Sequence, residues 1–230
     1  DSTADWVQDF YSKTDEWWGE ATASIDAVDR ARAAWLVGLH DNPTATSVLE
    51  LGCGNGTTAV ATAEAGFVVT GIDFSARIER APTSEVTLVQ ADFTTHDFGQ
   101  RFDLVTYWDG FGFADDKGQR ALFSRIATDL VQPEGLVVVE VFDPTGFQSD
   151  DGLIEHKHAD PERGYRSSLV HARTFDAATH RAVDAWKEAD DDQIWSQSLR
   201  CYSPAAFAAL VESTGLQIVE LLDVGRSDWS

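Results

Sequence analysis

The chain has 230 residues, 43% of them hydrophobic and 11% aromatic, enough for a globular domain with a full core and an appended lobe. Its formal net charge of −22 would repel nucleic acid at ordinary ionic strength, so no nucleic-acid partner is expected. No apolar run approaches the length of a membrane span and no basic-then-apolar leader is visible, which reads as a soluble, cytoplasmic protein without a membrane partner.

Lysine is confined to Lys13, Lys117, Lys157 and Lys187, while acidic clusters such as "SDDG" and "EADDD" are frequent. That balance matches proteins of salt-adapted, halophilic cells. In molar salt the Debye length falls to about 3 Å, so carboxylates keep the surface hydrated without mutual repulsion; the same screening would also relax the exclusion of nucleic acid. The two cysteines, Cys53 and Cys201, offer neither a disulfide framework nor a metal-ligand spacing, and no metal is expected.

In chain order, residues 5–21 and 26–40 read as two helices, the first rich in aromatic residues. "SVLEL" (47–51) is a short apolar strand and "TTAVATAEAG" (57–66) a small-residue helix that Gly66 stops. Strands follow at 67–73, 86–92, 102–108 and 136–142, with a short helix at 75–81 that Pro82 ends and an amphipathic helix at 117–131. The last strand, "LVVVEVF", is apolar nearly throughout, as in a buried parallel sheet. The alternation predicts an α/β fold, a doubly wound, mostly parallel sheet with helices on both faces. Segments 166–176, 180–188 and 193–202 then read as an inserted antiparallel β meander. A helix from Ser203 and Pro204 to Gly215 and a last strand at 216–224 close the chain. The expected division is residues 1–46 as an N-terminal helical lid, 47–142 as the cofactor-binding core, 143–202 as the inserted lobe, and 203–230 as helix and strand completing the core.

"VLELGCGNG" carries the chemistry. Glycines at 52, 54 and 56 join a strand to a helix N-terminus at the carboxyl edge of the sheet, where open α/β folds bind ligands. Glycine lets a ligand approach the backbone, and the free N–H groups ahead suit an anionic group. A dinucleotide loop wants G-x-G-x-x-G, but Thr57 stands where its last glycine belongs. Glu50 heads the loop, and an acid there suits a ligand with a cationic end. Asp73, ending the second strand, can accept two hydrogen bonds from a ribose diol. Asp92, just past the third strand, is placed for an exocyclic adenine amine, and Phe74 and Phe93 for the faces of the base.

On these residues the chain resembles the class I S-adenosylmethionine-dependent methyltransferases of small-molecule type, closely over 48–142 and loosely in the flanks. "ELGCGNG" matches the family's first motif, Asp73 its ribose-binding acid and Asp92 its adenine-side acid. The resemblance implies S-adenosyl-L-methionine as cofactor, held by Glu50, Gly52, Cys53, Gly54, Gly56, Asp73, Phe74, Ser75, Asp92, Phe93, Tyr107 and Trp108, with Tyr11 and Trp18 closing over it from the N-terminal helix. It implies in-line transfer of a methyl group to an oxygen or nitrogen of a small metabolite, with positioning as the main source of rate. The family's sheet normally has a sixth and an antiparallel seventh strand. Residues 216–224 read as the sixth, and "GRSDWS" is too short for the seventh, which leaves two readings: a trimmed C-terminus, or a seventh strand replaced by one of the meander.

Trp17, Trp108, Phe111 and Phe113 are candidates for an apolar acceptor wall, and Arg166 and Arg200 for gripping an acceptor carboxylate. Asp109 is a candidate to orient the acceptor or take its proton, with an Asx-type turn before Gly110 as the plainer alternative. His156, two residues before His158, is the other acid–base candidate, against a solvated acidic loop. Three rival readings remain: an RNA or protein methyltransferase of the same fold, a non-catalytic S-adenosylmethionine-binding module, and a nicotinamide dehydrogenase. Oligomeric state is not legible.

Overall fold

The computed structural model describes residues 3–40, 42–80 and 85–223. In chain order the elements are α1 (Thr3–Trp18), α2 (Ala27–Leu39), β1 (Ser47–Leu51), α3 (Thr57–Glu64), β2 (Val68–Asp73), β3 (Thr87–Gln90), β4 (Phe102–Tyr107), α4 (Asp116–Arg125), β5 (Val131–Val139), α5 (Pro144–Ser149), β6 (Ile154–Lys157), β7 (Leu169–Asp176), β8 (Arg181–Glu188), β9 (Trp195–Arg200) and α6 (Pro204–Glu212). They pack as two compact units. One gathers the N-terminal residues through Ala21, Asp109–Arg120 and Glu140–Ser213; the other gathers Thr22–Trp108, Ala121–Val139 and the residues from Thr214 onward. The expected division is therefore redrawn. The two N-terminal helices part company, the segment after β4 joins the lobe, and α6 stays with the lobe instead of completing the core.

The second unit is a five-stranded parallel sheet in the order β3-β2-β1-β4-β5. Val48, Leu49, Leu51, Ile72, Leu104 and Val105 are all buried in it, each contributing about 1.5–3 kcal/mol. Strand order reverses between β1 and β4, so the loop after β1 opens at the topological switch point. Helix α2 starts on a capping box: Asp26 accepts from the backbone N–H of Asp29, and Asp29 accepts from that of Asp26. Its buried face is Asp29, Arg32, Ala33 and Leu36, one stripe at helical spacing. The buried Asp29 also accepts from the hydroxyls of Thr57 (3.1 Å) and Thr58 (2.5 Å), which ties α2 to the first turn of α3.

The first unit holds the antiparallel sheet β6-β7-β8-β9. Its α5 starts at Pro144 behind the N-cap Asp143, and its α6 at Pro204 behind the N-cap Ser203. Helix α5 and strand β6 were not anticipated as elements.

Three expectations are corrected. Residues 216–223 form no strand, and residue 224 lies outside the described residues, as do Pro82 and the closing "GRSDWS". Ile218, Val219, Leu221 and Leu222 are exposed. A strand exists only when its N–H and C=O groups are paired, and among the described residues β5 pairs only with β4. Nor does any meander strand complete the parallel sheet, since all four pair with one another. The short helix expected at 75–81 is a 3₁₀ turn, Ala76–Arg80.

Candidate active site

The glycine loop follows β1 directly. Gly52, Gly54 and Gly56 all have positive φ (64°, 54° and 73°), the left-handed region where a side chain costs about 1 kcal/mol or more. The loop is anchored by Cys53 N–H donating to the Ile72 carbonyl (3.1 Å) and Gly56 N–H to the Cys53 carbonyl (2.8 Å). A Cβ at Gly54 would meet no heavy atom within 4 Å, whereas one at Gly52 would lie 3.3 Å from the Tyr107 ring. The backbone thus presents an open face at Gly54 and rests on an aromatic floor at Gly52. Phe93 stands edge-on to Tyr107 at 5.5 Å and completes that floor.

Asp73 fastens the loop to the end of β2. One carboxylate oxygen accepts from Gly54 N–H (2.9 Å) and the other from Ser75 N–H (2.8 Å). A carboxylate has about four lone-pair sites, so each oxygen keeps capacity for one ligand hydroxyl. Glu50 is buried in β1. The Cys53 thiol is pushed well up, first by burial and then by the Glu50 and Asp73 carboxylates; at neutral pH it is an inert, small core group. It packs against Gly71, where a Cβ would come within 2.9 Å of the sulfur.

The remaining expected cofactor residues separate. Asp92 is exposed and uses one oxygen on the backbone and hydroxyl of Thr94 (2.7 and 2.6 Å). Phe74 and Ser75 sit half-buried in the turn after β2. Trp108, expected against cofactor and acceptor, is buried. Its ring lies in the cluster of Leu36, Val48, Val60, Val69 and Leu104, with the Arg32 guanidinium over it at 5.1 Å. Successive residues of a strand face opposite sides, so Tyr107 and Trp108 part at the end of β4.

In the other unit, Asp109 is exposed with φ 52°, a conformation Asp tolerates better than most residues. Phe111 is fully buried against Tyr202 (5.7 Å) and Phe207 (5.8 Å), which makes it core and not acceptor wall. Phe113 is half-buried and meets Tyr11 and Trp6 edge-on, each at 5.7 Å. Trp17 is also core: it is 2% exposed and its indole N–H donates to Glu188 (2.9 Å), holding that carboxyl below its ordinary range. Trp18 is half-buried, 5.1 Å from Trp186.

Arg200 donates to Asp116 (3.2 Å) and to the Cys201 carbonyl (2.6 Å). Burial pushes the Asp116 carboxyl up, but the Tyr202 hydroxyl (2.7 Å) and Arg200 outweigh it and leave the group below the usual range. Arg166 is exposed and paired with Glu20. His156 is exposed on the edge strand β6 and alternates with Glu155 across the sheet. The histidine that the fold does enclose is His171. Its two ring nitrogens face Glu155 (3.2 Å) and Asp184 (2.8 Å), and its ring stacks on Trp186 at 3.9 Å. Arg173 bridges Asp184 and Asp150, each at 2.7 Å. Sequence reasoning also missed Asp29 and Arg181. The first carried a visible signal, its D-x-x-D capping pattern; the second carried none.

A glycine loop at the switch point, hydrogen-bonded to an acid at the end of the next strand, defines a nucleoside-binding α/β protein. A sequence profile described as a methyltransferase domain matches residues 23–221, and the chain belongs to that family. It is 31% identical to the cypemycin N-terminal methyltransferase of a Streptomyces species over 129 residues, 52% of this chain and 51% of that one. The matches span only about half to three-fifths of the length of the curated relatives. The CcbJ methyltransferase of Streptomyces caelestis superposes with a TM-score of 0.70 at 23% identity, over 93% of this chain and 86% of that one. S-adenosylmethionine-bound CalS10, an amino pentose methyltransferase of Micromonospora echinaspora, superposes with a TM-score of 0.59 at 23% identity over 83% of each chain. Among the described residues no group of His, Cys, Asp and Glu could hold a metal ion, and no helix is long and apolar enough to cross a membrane.

Proposed function

We propose that the chain transfers a methyl group from S-adenosylmethionine to an oxygen or nitrogen of a small molecule, with an amine nitrogen as the favoured acceptor. The observation that carries the reading is Asp73, which holds the open face of Gly54 in place and keeps one acceptor site free on each oxygen. Bound there, the cofactor supplies an electrophilic methyl group on a cationic sulfur. Asp73 would hold the ribose hydroxyls, and the loop backbone at Gly52–Gly56 the amino-acid end. Glu50 adds a negative charge suited to the cofactor's cationic groups. Phe93 and Tyr107 would floor the site and exclude water.

The amine preference draws on the printed activities of two relatives, an N-terminal methyltransferase and an amino pentose methyltransferase. The acidic character of this chain agrees with a basic acceptor. Asp109, exposed just after β4, is the candidate to orient such an amine; His156 is not carried forward, because it faces solvent on an edge strand. Most of the rate would come from positioning, about 7–11 kcal/mol.

Incubation with methyl-labelled S-adenosylmethionine and separate pools of free amines, short peptides, hydroxylated metabolites and RNA tests the reading. Label in the amine or peptide pool is expected. Label confined to RNA overturns it.

A further inference from the structure

The segment Asp109–Phe113 is fastened to the antiparallel sheet by a device that uses no acid. Arg181, the first residue of β8, is half-buried. Its Nη2 donates to three carbonyls, those of Gly112 (3.3 Å), Phe113 (3.2 Å) and Ser198 (2.9 Å), and its Nε donates to the Ser198 hydroxyl (2.8 Å). Among the described residues no carboxylate lies within 4 Å of it, although the chain carries 39 acids. Burial lowers its pKa, and the nearby Arg200 charge adds to that. An arginine kept in place without a counter-ion is held by geometry: Nη2 shares its two hydrogens among three carbonyls, and the planar fork lets Nε take the Ser198 hydroxyl alongside.

The partner side is equally specific. Gly112 has φ 120°, and its carbonyl also accepts from the Arg200 backbone N–H (2.7 Å). A Cβ at Gly112 would come within 2.6 Å of the Arg200 carbonyl oxygen. The second glycine of "GFGF" is therefore there because β9 lies directly against it. Four residues after Gly112, Arg200 and Tyr202 hold Asp116. The chain is thus pinned at Gly112–Phe113 and again at Asp116, and Phe113 meets Tyr11 and Trp6.

We propose that Arg181 is a positioning residue for the acceptor: by gripping the Gly112 and Phe113 carbonyls it fixes Phe113 and the backbone that follows Asp109, the segment read as acceptor-binding. The proposal rests on the reading that Asp109 and Phe113 face the acceptor, and its test separates the two. Arg181→Gln, Arg181→Lys and Gly112→Ala are compared with wild type by amide hydrogen exchange over residues 110–114, by calorimetric binding of S-adenosylhomocysteine, and by label transfer to the amine pool at low and saturating pool concentrations. Arg181→Gln should speed exchange in 110–114 at least tenfold and lower the transfer rate at low pool concentration at least tenfold. S-adenosylhomocysteine affinity should stay within twofold. Arg181→Lys should recover part of the rate, and Gly112→Ala should reproduce the Gln variant from the other side of the contact. Unchanged exchange in 110–114 overturns the proposal. So does a loss of transfer matched by an equal loss of S-adenosylhomocysteine binding sites, the mark of simple unfolding. If wild type labels no pool, the acceptor reading fails, and the exchange measurement alone decides whether Arg181 holds the segment.

Discussion

The two compact units bury different kinds of chemistry. At the centre of the parallel sheet most side chains are aliphatic, with Glu50 and Asp73 as buried acids at the ligand edge, and the ligand face itself is backbone: three left-handed glycines tied to Asp73. The antiparallel sheet instead buries charge on the face of its strands, with His171 and Asp184 3% and 4% exposed and joined by Arg173 and Gln197. Aliphatic burial is non-directional and tolerates substitution. A buried ionic array stabilises only when every member is satisfied, and it specifies strand register strongly.

The sharpest way to break this comparison is Asp184→Ala. It strips a partner from His171 Nε2 (2.8 Å), Arg173 Nε (2.7 Å) and Gln197 (3.2 Å) together, so a loss of about 3–5 kcal/mol is expected. Denaturant unfolding that shows less than 1 kcal/mol would erase the distinction. In the parallel unit the matching change is Gly71→Ala, which forces a Cβ to 2.9 Å from the Cys53 sulfur and 3.0 Å from Leu88. The atoms in the way are side-chain ends that can shift, so the cost should be smaller, about 1–3 kcal/mol; a larger loss than for Asp184→Ala would reverse the ranking.

Acid titration compares the units at a finer level. Asp103 is held below its usual range by the Ser47 hydroxyl (2.6 Å) and backbone N–H (2.8 Å), and Asp116 by Tyr202 and Arg200 against its own burial. A carboxyl depressed in the fold adds stability that is fully present above its unfolded pKa, about 3.9, and lost as pH falls through the lower folded value. Asp103→Asn and Asp116→Asn should each cost about 1 kcal/mol at pH 7, and the gap to wild type should shrink as pH falls below about 3.9. A gap in urea midpoint that stays constant from pH 7 to pH 2 would contradict this. Last and smallest, at a net charge of −22 the melting temperature should rise between low salt and about 1 M; a flat profile would show that self-repulsion is already balanced.

The parts that could be foreseen are those written in adjacent residues. The bend from Gly52 to Gly56 and the acid ending "GID" announce themselves locally, because each is one strand end followed by one turn. What could not be read was facing. "FDLVTYW" is apolar on both sides, so nothing in it distinguishes Tyr107, which floors the loop, from Trp108, which fills the core. The His171 array arises from register, with Arg173 opposite Asp184 and His171 opposite Trp186, and register across a meander is set by the whole sheet. Arg181 reaches back 69 residues to Gly112, a distance no local pattern spans. Residues 216–223 failed for the opposite reason: the propensity for a strand was present, and the partner was not.

Calorimetric titration of the wild-type protein and Asp73→Ala with S-adenosylhomocysteine, and of the wild type with a nicotinamide dinucleotide, tests the account most directly. Wild type should give a saturable isotherm with S-adenosylhomocysteine, the variant at least a hundredfold weaker binding through loss of charge-assisted bonds of about 1.5–3 kcal/mol each, and the dinucleotide no heat. A clear isotherm with the dinucleotide, or S-adenosylhomocysteine binding untouched by loss of Asp73, would contradict it.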